Sequence, residues 1–216
     1  MLGAINFPEG ITWNIRYLNG YDMCGEGFPA TTMEYAYTQG QMTVIDIKYD
    51  TSKVTNFSSA FYYCQKLIKC PNIDTTSAIN MSYMFYSCSA LKNIPFFNTP
   101  NLSNMSNMFN SCSNLKSIPL LDCSKVTSMS TMFGWSDINS LTDLGGFKNL
   151  KTSCTSNLNL LPNLTVQSLM NVINNLYDFR ANGESTTRTL QLGTTNLNKL
   201  TDEQKAVATN KGWNLT

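Results

Sequence analysis

Met105-Ser-Asn-Met-Phe-Asn-Ser-Cys-Ser-Asn-Leu-Lys-Ser-Ile-Pro119 is one copy of a unit that recurs through the middle of the chain. Phe61, Phe85, Phe109 and Phe133 stand 24 positions apart. Phe57, Met81, Met105 and Met129 keep that spacing. So do Cys64, Cys88 and Cys112, then Leu67, Leu91 and Leu115, then Pro71, Pro95 and Pro119. Columns that agree in register over several copies mean that each unit buries the same side chains as its neighbours.

A period in the range of about 20–29 residues marks a leucine-rich-repeat solenoid, in which each repeat is one turn of a coil. The expected fold is therefore an α/β repeat: a leucine-rich-repeat solenoid with 24-residue coils, short parallel strands, helical or 3-10 outer turns and an α/β C-terminal cap. Each unit divides in two. Val126-Thr-Ser-Met-Ser-Thr-Met-Phe133 spaces its apolar residues as a short helical or 3-10 turn facing inward would. Leu115-Lys-Ser-Ile-Pro-Leu-Leu121 suits a short parallel strand closed by a Pro that ends the ladder. Asp50, Asp74, Asn98 and Asp122 recur at the following turn, where a short acceptor side chain bonds backbone N–H groups.

Three segments follow. Residues 1–32 do not fit the period. Ile11-Thr-Trp-Asn-Ile-Arg-Tyr17 alternates as a strand does and Asn19-Gly20 marks a turn, so this part is expected to cap the first coil or dock to a larger assembly. Residues 33–149 carry the repeats, beginning with a degenerate copy whose strand is Val44-Ile-Asp-Ile-Lys-Tyr49. The last copy decays: Ser136 takes the Cys column, and Gly134, Gly145 and Gly146 are expected to loosen the rung. Residues 150–216 continue the pattern with helices. Leu158–Leu160, Leu190–Leu192 and Trp213–Leu215 read as strands. One helix starts after Thr165 and turns Val166, Leu169, Met170, Ile173 and Leu176 to one face. The next has a capping box, Thr201 with Gln204, acids Asp202 and Glu203 in its first turn, Lys211 in its last and Gly212 just beyond.

Composition excludes several functions. Charged residues are 13% of the 216, against about 25% in an ordinary soluble domain, and the net charge is +1. No basic footprint for nucleic acid is present. His is absent, which removes the commonest general base and metal ligand. The acids are scattered at turns and helix starts, and neither GxGxxG nor a P-loop occurs. The chain is expected to be no enzyme and to need no cofactor or metal. No apolar run reaches the roughly 20 residues of a membrane span, and the start has no signal-peptide pattern.

The seven Cys include the Cys64, Cys88, Cys112 column. Equivalent residues on stacked coils lie about 4.8 Å apart with parallel Cβ vectors, whereas a disulfide wants Cβ atoms about 3.8 Å apart. A ladder of buried thiols is the better reading. Asn56-Phe-Ser58, Asn80-Met-Ser82 and Asn104-Met-Ser106 match the glycosylation sequon. They recur because the repeat places Asn there, so turn hydrogen bonding explains them better than glycans.

Met-x-x-Met-Phe-x-x-Cys-x-x-Leu-x-x-Ile-Pro, at 81–95 and 105–119, resembles the BspA-like leucine-rich repeat. Val-Thr-x-Met-x-x-Met-Phe at 126–133 resembles the related repeat of bacterial surface lipoproteins. The segment from Leu164 to Trp213 looks like the C-terminal end of repeat proteins from gut bacteria and their phages. The resemblance implies surface recognition: adhesion to protein or surface-glycan ligands, or attachment among other virion proteins as a tail fibre, decoration or host-attachment subunit. Location would then be the cell surface, the extracellular space or a virion. The family brings no catalytic motif.

Binding residues are sought among those the repeat leaves unfixed. Tyr62, Tyr63 and Tyr86 flank the core Phe column and, with Tyr83, are expected to form an aromatic patch. On the strand side, Lys92 and Lys116 share one column, and Lys69, Asn93 and Ser117 the next.

Overall fold

A computed structural model describes residues 17–18, 21–22, 50–134, 138–153 and 158–216. The strand expected at Val44–Tyr49, Ser136, and all but four residues of the expected N-terminal cap lie outside those described. Tyr17–Leu18 (β1) pairs antiparallel with Tyr21–Asp22 (β2) on either side of Asn19-Gly20, as that dipeptide predicts.

Successive copies of the repeat stack, and the stack is held by main-chain bonds between equivalent residues. In the first half of one copy the N–H groups of Phe57, Ser59, Phe61 and Tyr63 donate to the carbonyls of Asn80, Ser82, Met84 and Tyr86, at 2.8–2.9 Å. The amides between them turn back on their own chain: Ala60, Tyr62 and Cys64 donate to the carbonyls of Phe57, Ser59 and Phe61. Residues 81–88 repeat this against 104–110. This half is thus a chain of β-turns, and the helical or 3-10 expectation is corrected. The cause is visible in the backbone. Ser59 (φ 55°), Tyr63 (φ 60°), Tyr83 (φ 58°), Ser87 (φ 59°), Asn107 (φ 57°), Ser111 (φ 62°) and Thr131 (φ 48°) all lie in the left-handed region. A left-handed residue breaks the run of helical dihedrals, so alternate N–H groups aim along the stack instead of along the chain.

The second half pairs in parallel. Lys69 bridges Asn93, and Asn93 bridges Ser117. Ser117–Ile118 (β3) pairs with Asp143–Leu144 (β5), and Leu121–Asp122 (β4) with Phe147–Lys148 (β6). Pro119 does not end this ladder. It removes one donor, but Gly145 N–H donates to the Ile118 carbonyl and Leu121 N–H to that of Gly146, so pairing resumes two residues on. Nor do Gly145 and Gly146 loosen the rung. A Cβ on Gly145 would sit 2.3 Å from the Leu120 nitrogen, and one on Gly146 (φ 106°) 2.7 Å from the Asn171 carbonyl oxygen. They are places where backbone meets backbone.

The repeat columns fill the interior. Phe61, Phe85, Phe109 and Phe133 are fully buried and stack ring on ring, with centroids 5.3, 5.9 and 6.4 Å apart. At about 25 cal/mol per Å² of apolar surface, burial of such columns is the main stabilising term. Polar ties run beside them. The buried Thr51 hydroxyl donates to the Asp74 carbonyl (3.0 Å) and accepts from the Asp74 N–H (2.6 Å); Thr75 and Thr99 likewise donate to Asn98 and Asp122. Asp50, Asp74 and Asp122 each accept the N–H two residues on. Asn98 has no such donor, because position 100 is Pro.

In the C-terminal part Leu158–Leu160 is a 3-10 turn, not a strand. The buried Asn196 explains it: its Nδ2 bonds the carbonyls of Leu158, Leu161 and Leu192, which closes the chain into a turn there. Helix α1 (Val166–Asn175) starts at its Thr165 cap as expected, with Leu169, Val172, Ile173 and, just beyond, Leu176 buried. Val166 is exposed instead; as the first helical residue it lies at the solvent end, and Val172 takes its place inward. The expected strand at Leu190–Leu192 is shifted to Arg188–Leu190 (β7), parallel to Trp213–Leu215 (β8). Leu192 caps the short helix α2 (Gly193–Leu197). Helix α3 (Asp202–Asn210) shows the full Thr201–Gln204 capping box, and Gly212 takes φ 91°. Lys211 reaches across to α1, donating to the carbonyls of Ile173, Asn174 and Leu176. There it neutralises the negative end of that helix.

Candidate functional site

The expected aromatic patch exists. Tyr62 stacks on Tyr86 with centroids 5.0 Å apart and planes 19° apart. Tyr63 lies 4.7 Å from Tyr62 and 5.6 Å from Tyr86, and Tyr83 lies 5.7 Å from Tyr86. Two turns of the stack thus contribute one cluster of four rings. Tyr63 is 38% exposed and Tyr83 39%, while Tyr62 and Tyr86 are half-buried between them.

What the sequence did not reveal is the backbone under these rings. Tyr63 and Tyr83 are two of the left-handed residues. A bulky side chain there costs roughly 1–2 kcal/mol, which Gly or Asn largely avoids. The other copies use small polar residues at the same places: Ser87 and Ser111 align with Tyr63, and Ser59, Asn107 and Thr131 with Tyr83. Asn110 and Gly134 align with Tyr62 and Tyr86. Packing therefore does not ask for tyrosine.

The strand-side residues are also where the columns put them. Lys69, Lys92, Asn93 and Lys116 are exposed and Ser117 is half-buried. Lys116 N–H donates to the Lys92 carbonyl at 2.8 Å, which sets the two lysines on adjacent rungs. The Ser117 hydroxyl donates to Asn93 Oδ1 at 2.9 Å, so part of this face is tied within itself. The sequon asparagines do turn chemistry: Oδ1 of Asn56, Asn80 and Asn104 accepts the N–H of Ser58, Ser82 and Ser106 at 2.9–3.0 Å. The cysteine ladder is buried, with Cys88 and Cys112 donating S–H to the Phe61 and Phe85 carbonyls. Burial pushes the Cys112 thiol up to about 12 and raises Cys88 as well, where neighbouring thiols add to it. Such thiols are not nucleophiles near neutral pH. Among the described residues no three Cys, Asp or Glu gather as a metal site would require.

Residues 31–144 match the family model described as "Mycoplasma protein of unknown function, DUF285". The chain belongs to that family. A solved structure, the leucine-rich repeat protein of T. pallidum, is similar over 90% of this chain and 82% of its own, at 17% identity and a TM-score of 0.52. At that identity the likeness establishes the fold, which is leucine-rich-repeat-like, and nothing of the function. No curated protein matches this chain.

Proposed function

We propose that this member of the family is a non-catalytic recognition module of the BspA-like type, a repeat solenoid that takes a protein partner on the patch formed by Tyr62, Tyr63, Tyr83 and Tyr86. One observation carries this reading. Two tyrosines occupy left-handed backbone positions, half-exposed, where the same chain elsewhere uses Ser, Asn or Thr. Local strain and an exposed aromatic cluster at one place are a cost to the fold, and such costs collect at sites of function. Tyrosine is also a residue in which contact energy concentrates, since it offers a large rigid surface with a polar tip. The exposed Lys69, Lys92, Asn93 and Lys116 and the half-buried Ser117 form a second, polar face, suited to orient a partner more than to anchor it. In this reading residues 1–32 cap or dock the stack, 33–149 recognise, and 150–216 close it, at a cell surface or outside the cell. The virion alternative has no observation of its own.

The test uses the repeat as its own guide. Tyr63→Ser and Tyr83→Asn install residues found at the same places in other copies, so the fold is kept. Labelled wild-type chain should bind intact cells or a panel of purified surface proteins saturably, and the double variant should lose at least tenfold in affinity. Equal binding by the two proteins would remove the tyrosine patch from the account.

A further inference from the structure

An open pocket of about 350 Å³ lies where residues 124–127, 151–152 and 188 meet. Among the described residues its walls include Lys125, Lys151 and Arg188, together with the hydroxyl residues Ser124, Thr127 and Thr152, and no acid. Each cation is held by neutral groups. Lys125 Nζ donates to Asn101 Oδ1 at 2.6 Å. Lys151 Nζ sits 4.1 Å over the Tyr177 ring. Arg188 Nε donates to the Lys151 carbonyl at 3.2 Å, and its Nη1 to that of Thr187 at 3.3 Å. These contacts position the three charges without cancelling them. The ion pairs among the described residues go elsewhere, Lys148 with Asp122 and Lys205 with Asp202. Asp122, close in sequence, is therefore already engaged.

Solvated surface cations are the ordinary case. Here, however, a nearly neutral chain gathers three cations around one concavity, and like charges so arranged repel until an anion joins them. We infer that this pocket is a binding site for a tetrahedral oxyanion, a phosphate or sulfate group. Arg188 supplies the planar fork that matches two oxygens of such a group, the two lysines supply point charges, and the Thr152 hydroxyl donates to a remaining oxygen, those of Thr127 and Ser124 being engaged with the Ser103 carbonyl and Asp122. The site is separate from the tyrosine patch and does not rest on it.

The experiment titrates the full chain with sodium phosphate, sodium sulfate and sodium chloride at matched ionic strength, following the amide resonances of Thr127 and Thr152. Phosphate or sulfate should shift them saturably and chloride should not; the tighter of the two names the group. Lys125→Gln/Lys151→Gln should weaken the affinity at least tenfold with an unchanged unfolding midpoint in chloride. Should that pair unfold, Lys125→Gln alone is expected to weaken binding at least threefold. Equal shifts in chloride, or affinity unchanged in the folded variant, would overturn the site.

Discussion

Cys112 donates its thiol hydrogen to the main-chain carbonyl of Phe85, 3.0 Å away. Cys88 makes the same bond to Phe61, one turn earlier, so the column adds a second donor to carbonyls that already accept the N–H of Cys88 and Cys64. Cys64, Cys70, Cys88, Cys112 and Cys123 are all buried thiols. In native protein they should resist iodoacetamide at about pH 8 and react on addition of guanidinium, as read by peptide mapping. Cys112→Ala should cost about 2 kcal/mol, from a lost donor and a small cavity. Rapid native labelling of Cys112 would contradict the ladder.

Gly145 is a test of whether the decayed copy is loose or tight. A Cβ there meets the Leu120 nitrogen at 2.3 Å and the Pro119 carbonyl carbon at 2.7 Å, and both are backbone atoms that cannot step aside. Gly145→Ala should lower stability by about 1–3 kcal/mol in urea unfolding. A neutral substitution would restore the loosened rung.

Thr131 carries a β-branched side chain at φ 48°, the least suitable of the left-handed positions. Its hydroxyl donates to Asn107 Oδ1 at 2.9 Å. Thr131→Asn copies the residue one turn earlier, tolerates that backbone and keeps an N–H donor for the same oxygen. It should raise stability by about 0.5–1 kcal/mol, seen as a higher midpoint with an unchanged denaturant slope.

The fold was legible because burial repeats. Phe61 to Phe133 and Cys64 to Cys112 are the same choice made at each turn, and a period of 24 survives any uncertainty over local structure. The backbone of the first half was not legible. Apolar spacing in Val126–Phe133 fits a helix and a chain of turns equally, and the deciding left-handed residues are Ser, Tyr, Asn and Thr, not the Gly that would announce them. Leu158–Leu160 failed for another reason: its turn is tied by Asn196, 35–38 residues away. The tyrosine patch was legible as a cluster but not as a strained one. The cationic pocket was not legible at all, since Lys125, Lys151 and Arg188 share no spacing.

Asp122 gives the stack a pH dependence with a defined sign. Partial burial works to raise its carboxyl, but the hydroxyl and N–H of Ser124 and the ammonium of Lys148, 3.5 Å away, outweigh it and hold the group below the usual aspartate range. The folded value thus lies below the unfolded one of about 3.9. Its contribution is present above that value and is lost as pH falls through the folded one. With both partners partly exposed, the contribution is at most about 1 kcal/mol and shrinks with salt. Asp122→Asn keeps an oxygen for Ser124 and removes only the charge. At about pH 7 and low salt the variant should unfold at lower urea than wild type. The gap should close as the pH is brought to about 2, and a gap unchanged over that range would mean that the Asp122 charge contributes nothing to the fold.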